Sequence, residues 1–379
     1  MNVFDVSDVL IEHVKTSYAD DIAIIAYYGS YAQGKATKRS DLDFFFIPVT
    51  PRGHGASIQF IVDDISFDFW PISWERAGRM ASFQDPQTTI IADCKLLYVR
   101  SNEDLERFLK LRDTIAALQK SENSKKAVEQ AEAELRNVYL HLYKMGHADD
   151  LQRITFYRTE AHKVLTRVFR CLALLNQTYF TQGFGKNKEQ LLQLPIRPAS
   201  LESLMHTIMH SGVASEIMQA CERITEDALK LVLVQKEKHS GAASYPDRMK
   251  GFFEEVKGVL DKILTACEGN DYDTAFFSAI GVQDEIARFL FFAETGQWPS
   301  DLPIDLSYQD FYKRAGLPEL ADLLQPNDLL PLHAAVTKLS VLLESYLISK
   351  GVPIHRFQTL EQFKAFLLLD TNKLQGGTT

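Results

Sequence analysis

Cysteine is scarce in this chain. The 379 residues hold four, Cys94, Cys171, Cys221 and Cys267, none near another, and no Cys-x-x-Cys occurs. That spacing argues against a disulfide framework and against a structural zinc site, and it fits reduced thiols in the cytoplasm. No uninterrupted apolar segment reaches about 18 residues, so no transmembrane helix and no membrane partner are expected. Asp5, Asp8 and Glu12 stand where a signal peptide needs a basic start and an apolar stretch, so none is expected. Positive charge is short as well: 41 Lys and Arg face 50 Asp and Glu, for a net charge of −9. General nucleic-acid binding is therefore not expected, although a small anion needs only a few local cations and N–H groups. No repeat of fixed period is seen.

What remains is ordinary globular material, 46% hydrophobic and 24% charged. The length predicts two or three domains. Residues 1–120 read as α+β: a helix over Val3–Tyr18, strands at Ile22–Tyr28, Asp41–Val49, Ser57–Val62, Ile65–Ile72 and Lys95–Val99, and helices over Trp74–Phe83 and Leu105–Leu118. Asp63-Asp64 has the place of a two-residue hairpin turn. Polar Ser121–Lys126 reads as a linker. Beyond it the strand signal fades, and 127–176 and 200–236 show helical spacing. Lys236–Asp247 is a second candidate linker, and 248–370 is again helical except for the Pro-bearing Trp298–Ser307. The tail Gln375–Thr379 is expected to be disordered. The boundaries expected are 1–120, 121–240 and 241–379.

The chemistry concentrates early. Tyr28-Gly29-Ser30 closes one apolar run, and Asp41-Leu42-Asp43 opens the next. Gly29 allows close backbone approach to a phosphate. Ser30 offers a hydroxyl and an N–H at the first turn of a short helix, with Gln33 at capping-box spacing. Lys35, Lys38 and Arg39 lie between. Asp41 and Asp43, two apart on a predicted strand, project to one face while Leu42 takes the other. Such a pair suits magnesium, which prefers oxygen ligands and commonly takes one or two carboxylates plus substrate phosphates. Two such ions can clamp an in-line displacement. A third acid is expected from Ile65-Ser66-Phe67-Asp68-Phe69-Trp70, where Asp68 shares a face with Ser66 and Trp70 and opposes the apolar Ile65, Phe67 and Phe69. Asp68 could hold metal, take a proton from an acceptor hydroxyl, or both. Asp63 and Asp64 compete for the role but read better as turn residues. These are the parts needed to bind a nucleoside triphosphate and move its nucleotidyl group.

Gly29-Ser30, then Asp41-Leu42-Asp43-Phe44, then an acid on a later strand, resembles the DNA polymerase β-like nucleotidyltransferase superfamily. A short N-terminal domain followed by helices is similar to the bacterial aminoglycoside nucleotidyltransferase type, and Leu175–Phe180 through Gly185-Lys186-Asn187-Lys188 to Pro195 is loosely similar to their helical domain. The resemblance implies a small mixed sheet with helices followed by an all-helical region. It implies transfer of a nucleoside monophosphate, with ATP the default donor, from a triphosphate to an acceptor hydroxyl. Magnesium is required and pyrophosphate is released. Asp41, Asp43 and Asp68 take the catalytic and metal-binding roles. Gly29 and Ser30 take phosphate-binding roles; Lys35, Lys38 and Arg39 read either as phosphate ligands or as a solvated loop, and Lys186 and Lys188 either reach the triphosphate from the helical domain, as the family suggests, or belong to a polar loop over Gly183–Lys188. The acceptor is left open: a small aminoglycoside-like molecule, a protein or an RNA end. A nucleotide-binding regulator or antitoxin-like protein without turnover stays open too. Glu132, Glu134 and Glu160 are candidate bases that read equally as solvated helix faces. His206 and His210 lack the Glu that would make them a metal motif.

Overall fold

The computed structural model describes residues 2–37, 40–148 and 153–375, with the backbone alone at Phe184 and over 369–375. Lys38, Arg39 and the last four residues of the tail lie outside the described residues. The chain divides into two compact units, Met1–Lys238 and His239–Thr379. The division falls inside the polar stretch Lys236–Asp247.

The first unit begins with α1 (Val3–Ser17), which buries Val3, Val6, Leu10 and Val14 at helical spacing. Then come β1 (Ile22–Tyr28), α2 (Gly29–Ala32), β2 (Asp43–Pro48), β3 (Ile58–Val62), β4 (Ile65–Pro71), α3 (Trp74–Ala81), α4 (Thr88–Asp93) and β5 (Lys95–Val99). The strands form one sheet in the order β3-β4-β2-β1-β5. Only the β2–β4 pairing is parallel, the others being antiparallel. Asp63 and Asp64 form the tight turn between β3 and β4, with φ of 53° and 59°, the backbone a two-residue primed turn requires.

Leu42, Phe44, Phe46, Phe67 and Phe69 pack with the buried residues of α1 in one core. Each fully buried Phe contributes about 1.5–3 kcal/mol. A one-residue slip of β2 or β4 would turn Phe out and carry Asp43 or Asp68 into that core, so burial of the Phe row fixes the register. The carboxylates are thereby held on the opposite face.

The first unit continues through α5 (Asn102–Leu118), α6 (Ser124–Arg136), α7 (Tyr139–Gly146), α8 (Ile154–Leu175), α9 (Lys188–Gln193), α10 (Leu201–His210) and α11 (Ala214–Glu237). Three local expectations change. Asp41 precedes β2 rather than lying within it. Ser121–Lys126 is not an open linker: Ser121–Asn123 is a tight helical turn that runs straight into α6. The Ser30/Gln33 capping box does not form, because the N-cap position falls on Tyr28. Gln33 Nε2 donates instead to the Thr181 carbonyl.

In the second unit α12 (Tyr245–Arg248), α13 (Phe252–Glu268), α14 (Tyr272–Thr295), α15 (Gln309–Arg314), α16 (Leu330–Ser349) and α17 (Leu360–Gln375) follow in order. Its core is built mainly from α13, α14 and α16, through residues such as Val256, Leu260, Ile286, Leu290, Leu339 and Leu343. Among the described residues no helix is long and apolar enough to cross a membrane.

Candidate active site

Strand pairing assembles the site. Tyr28 on β1 pairs with Asp43 on β2, and Gln59 on β3 pairs with Asp68 on β4. On the parallel side Phe44 pairs with Phe69, so the preceding residues, Asp43 and Asp68, stand on adjacent strands. Gln59, Asp68, Asp43 and Tyr28 thus form a row across one face of the sheet. Gln59 Nε2 donates to Asp68 Oδ1 at 2.7 Å. Trp70 Nε1 donates to the Tyr28 hydroxyl at 3.1 Å, and the Arg76 guanidinium covers the Trp70 ring at 4.9 Å. Trp70 is therefore a structural aromatic.

Burial, reinforced by the charges of Asp41 and Asp68, pushes the Asp43 carboxyl up to about 6. Burial also lifts the Tyr28 hydroxyl to about 12; Asp43 adds to the rise and the Trp70 hydrogen bond opposes it. A carboxylate raised by burial and by neighbouring acids in this way suits a cation held beside it. Their all-oxygen donor set suits magnesium. Among the described residues no three His, Cys, Asp or Glu side chains are already gathered as a formed metal cluster, and Asp68 commits one oxygen to Gln59. The fit to magnesium therefore rests on the charge and chemistry of the three acids.

Gly29 follows Tyr28 with φ of +76°, and a Cβ there would lie 2.3 Å from Asp43 Oδ2. Both the backbone and the neighbouring carboxylate demand glycine. Gly29 and Ser30 line a cavity of about 600 Å³ together with Tyr28, Gln33 and Lys35. The opposite walls come from Phe83–Ile90, from Arg170, Ala173 and Leu174 on α8, and from Thr178–Gly183 with Lys186 and Asn187. Thr178–Gly183 is tied down from several sides. Besides the Gln33 bond, Gln190 Nε2 donates to the Tyr179 carbonyl at 2.7 Å, and the Tyr179 hydroxyl donates to Asp93 at 3.2 Å. Phe83 has φ of 61°, rare for a bulky side chain. Arg170 steadies it by donating to the carbonyls of Phe83 and Gln84 while pairing with Glu134 at 3.1 Å.

Residues 105–238, which run from α5 through α11, match the family described as the KNTase (kanamycin nucleotidyltransferase) C-terminal domain. This match, over about a third of the chain, supports the nucleotidyltransferase superfamily, close to the aminoglycoside nucleotidyltransferases. A solved structure, the nucleotidyltransferase-like protein from Exiguobacterium sibiricum 255-15, is similar at 10% identity. The match covers 93% of this chain and 96% of that one, with a TM-score of 0.35. No curated protein matches the sequence.

The expected site residues separate into groups. Gly29 and Ser30 line the cavity, with Asp43 directly behind Gly29. Lys35 and Lys186 also line it and make no ion pair among the described residues. Lys188 turns elsewhere: its Nζ lies 2.7 Å from Glu202. Glu132, Glu134 and Glu160 are all committed to ion pairs, with Lys236, with Arg167 and Arg170, and with His141 and Lys163. His210 bonds the His206 carbonyl within its own helix. Sequence spacing did not reveal Gln59, Tyr28 or the Phe83–Ile90 wall. Gln59 and Tyr28 enter through strand register, and the wall is an irregular turn running into the first residues of the short α4, too little pattern to read.

Proposed function

We propose that this nucleotidyltransferase moves AMP from ATP to a hydroxyl of a small, cationic, aminoglycoside-like polyol and releases pyrophosphate. The observation that carries this reading is the packing of Asp43 against Gly29, itself part of the cavity wall. It joins an acidic row to a turn able to admit phosphate. In this reading residues 1–120 supply catalysis, 121–240 complete the cleft, and the protein works in the cytoplasm, a reading that four unpaired cysteines support.

Magnesium held by Asp41, Asp43 and Asp68 would neutralise the phosphate oxygens as charge develops on them. The protein's own groups do the rest. Ser30 and the N–H groups of its turn hold phosphate oxygens, and Lys35 and Lys186 face the polyphosphate. The acceptor oxygen bonds to the α-phosphorus while the bond from that phosphorus to the β-phosphate bridging oxygen breaks. Asp68 takes the hydroxyl proton, and the electron pair leaves with pyrophosphate. The row of Asp41, Asp43 and Asp68 and the overall net charge of −9 suit a cationic acceptor.

Pyrophosphate release from magnesium and each of four nucleoside triphosphates, over a panel of hydroxylated acceptors including aminoglycosides, tests the proposal. Turnover with ATP and a polyol is the expected result. Labelled nucleotide appearing on protein or RNA instead would overturn the acceptor assignment, and failure to bind any magnesium–triphosphate would overturn the whole reading.

A further inference from the structure

Asn187 stands at the head of α9, where an asparagine ordinarily spends its side-chain oxygen on a backbone N–H. Here no side-chain cap forms. The residue is 0% exposed, and both Nδ2 and Oδ1 are buried without a hydrogen-bond partner among the described residues. Buried amides are almost always paired. This one forms part of the cavity wall, beside a lining that includes the flat or apolar Phe83, Ile90, Leu174 and Tyr179. Such walls suit a planar ligand with one polar edge better than a polyol with hydroxyls on every side.

Resting on the nucleotidyl-transfer reading above, we propose that Asn187 reads the base of the donor nucleotide and favours adenine. A carboxamide presents an acceptor and a donor side by side in one plane. Adenine offers the complement, an N6–H donor beside the N7 acceptor, and asparagine pairs with that edge through two hydrogen bonds. Guanine offers two acceptors on the same edge and leaves Oδ1 unmatched.

Calorimetry on the full chain with magnesium, using ATP, GTP, CTP, UTP and inorganic tripolyphosphate as probes, tests the assignment. The wild type is expected to bind ATP about tenfold or more tighter than GTP. Asn187→Leu should erase that ranking and leave tripolyphosphate affinity unchanged. Asn187→Asp keeps the size but swaps the donor for a second acceptor, and it should weaken ATP relative to tripolyphosphate. Where one variant fails to melt cooperatively, the other carries the comparison. A purely structural role would lower melting temperature without touching the base ranking, and that result overturns the proposal. Equal binding of the four triphosphates by the wild type overturns the Asn187 assignment and leaves the transfer reading standing. Binding of neither triphosphate nor tripolyphosphate overturns both.

Discussion

Gly29 and Asp43 occupy space that a single methyl group would close: a Cβ on Gly29 would stand 2.3 Å from Asp43 Oδ2. The glycine also holds φ at +76°, a conformation that costs an L-residue about 1–2 kcal/mol. Gly29→Ala should therefore displace Asp43 and strain the turn at once. The expected result is a drop of a few degrees in melting temperature and about a hundredfold loss of nucleotidyl transfer, since small misplacements of reacting groups are costly. Wild-type turnover in a folded Gly29→Ala protein would show that the Gly29–Asp43 contact does not position the chemistry.

The acidic row makes a prediction in which stability and activity part company. Asp43 is half-buried beside Asp41 and Asp68, which destabilise its charge. Asp43→Asn removes that repulsion and keeps the shape, so in metal-free buffer the variant should melt no lower than wild type. Transfer should fall by at least about two orders of magnitude, because a ligand worth several kcal/mol of charge stabilisation is gone. Asp41→Asn and Asp68→Asn should lose activity alike. Paired thermal melts and pyrophosphate-release assays check this, and turnover persisting in any of the three sinks the metal assignment.

The relation between Asp43 and Asp68 was legible because strand alternation is a strict rule. Apolar Phe44, Phe46, Phe67 and Phe69 announce their face, and the intervening acids must take the other. Asp41 falls just before the strand yet lies near enough for its charge to raise Asp43, and two residues at a strand end carry little pattern. The Ser30/Gln33 motif misled for a different reason: Tyr28 is already extended at the helix entrance, so Ser30 lies two positions too far in to cap. Gln33 was free to latch onto Thr181, a partner 148 residues away that no local rule can name. Lys188 was read as a phosphate ligand, but it begins α9 and meets Glu202 near the start of α10. Its neighbour Lys186 stays on the cavity side.

That split between Lys186 and Lys188 can be measured. Lys35 and Lys186 line the cavity and pair with nothing among the described residues. Lys35→Ala and Lys186→Ala should each raise KM for the triphosphate about tenfold, the worth of one charged hydrogen bond. Melting temperature should barely move. Lys188→Ala removes an exposed ion pair worth little and should leave KM alone. Equal effects from all three would mean general electrostatic attraction rather than contact by two particular lysines.

Glu160 offers a test of the helical part of the first unit that is independent of catalysis. Its buried carboxylate lies 2.6 Å from His141 Nδ1 and 2.7 Å from Lys163 Nζ. Burial alone would raise its pKa. The hydrogen bonds from Lys163 and His141 and the charges of Lys163 and Lys144 outweigh burial and hold the carboxyl below its ordinary 4.5. A carboxyl depressed in the fold stabilises it fully above the unfolded value, and that stability is lost as pH falls through the lower folded value. Glu160→Gln should therefore melt roughly 2–4 °C below wild type at pH 7, the shift expected for about 1 kcal/mol in a unit of this size. As pH drops below about 4.5 the two melting curves should converge, because protonation of Glu160 makes the wild type resemble the variant. Calorimetric scans from pH 7 downward decide the matter: parallel curves would mean that the His141–Glu160–Lys163 cluster contributes nothing through its charge.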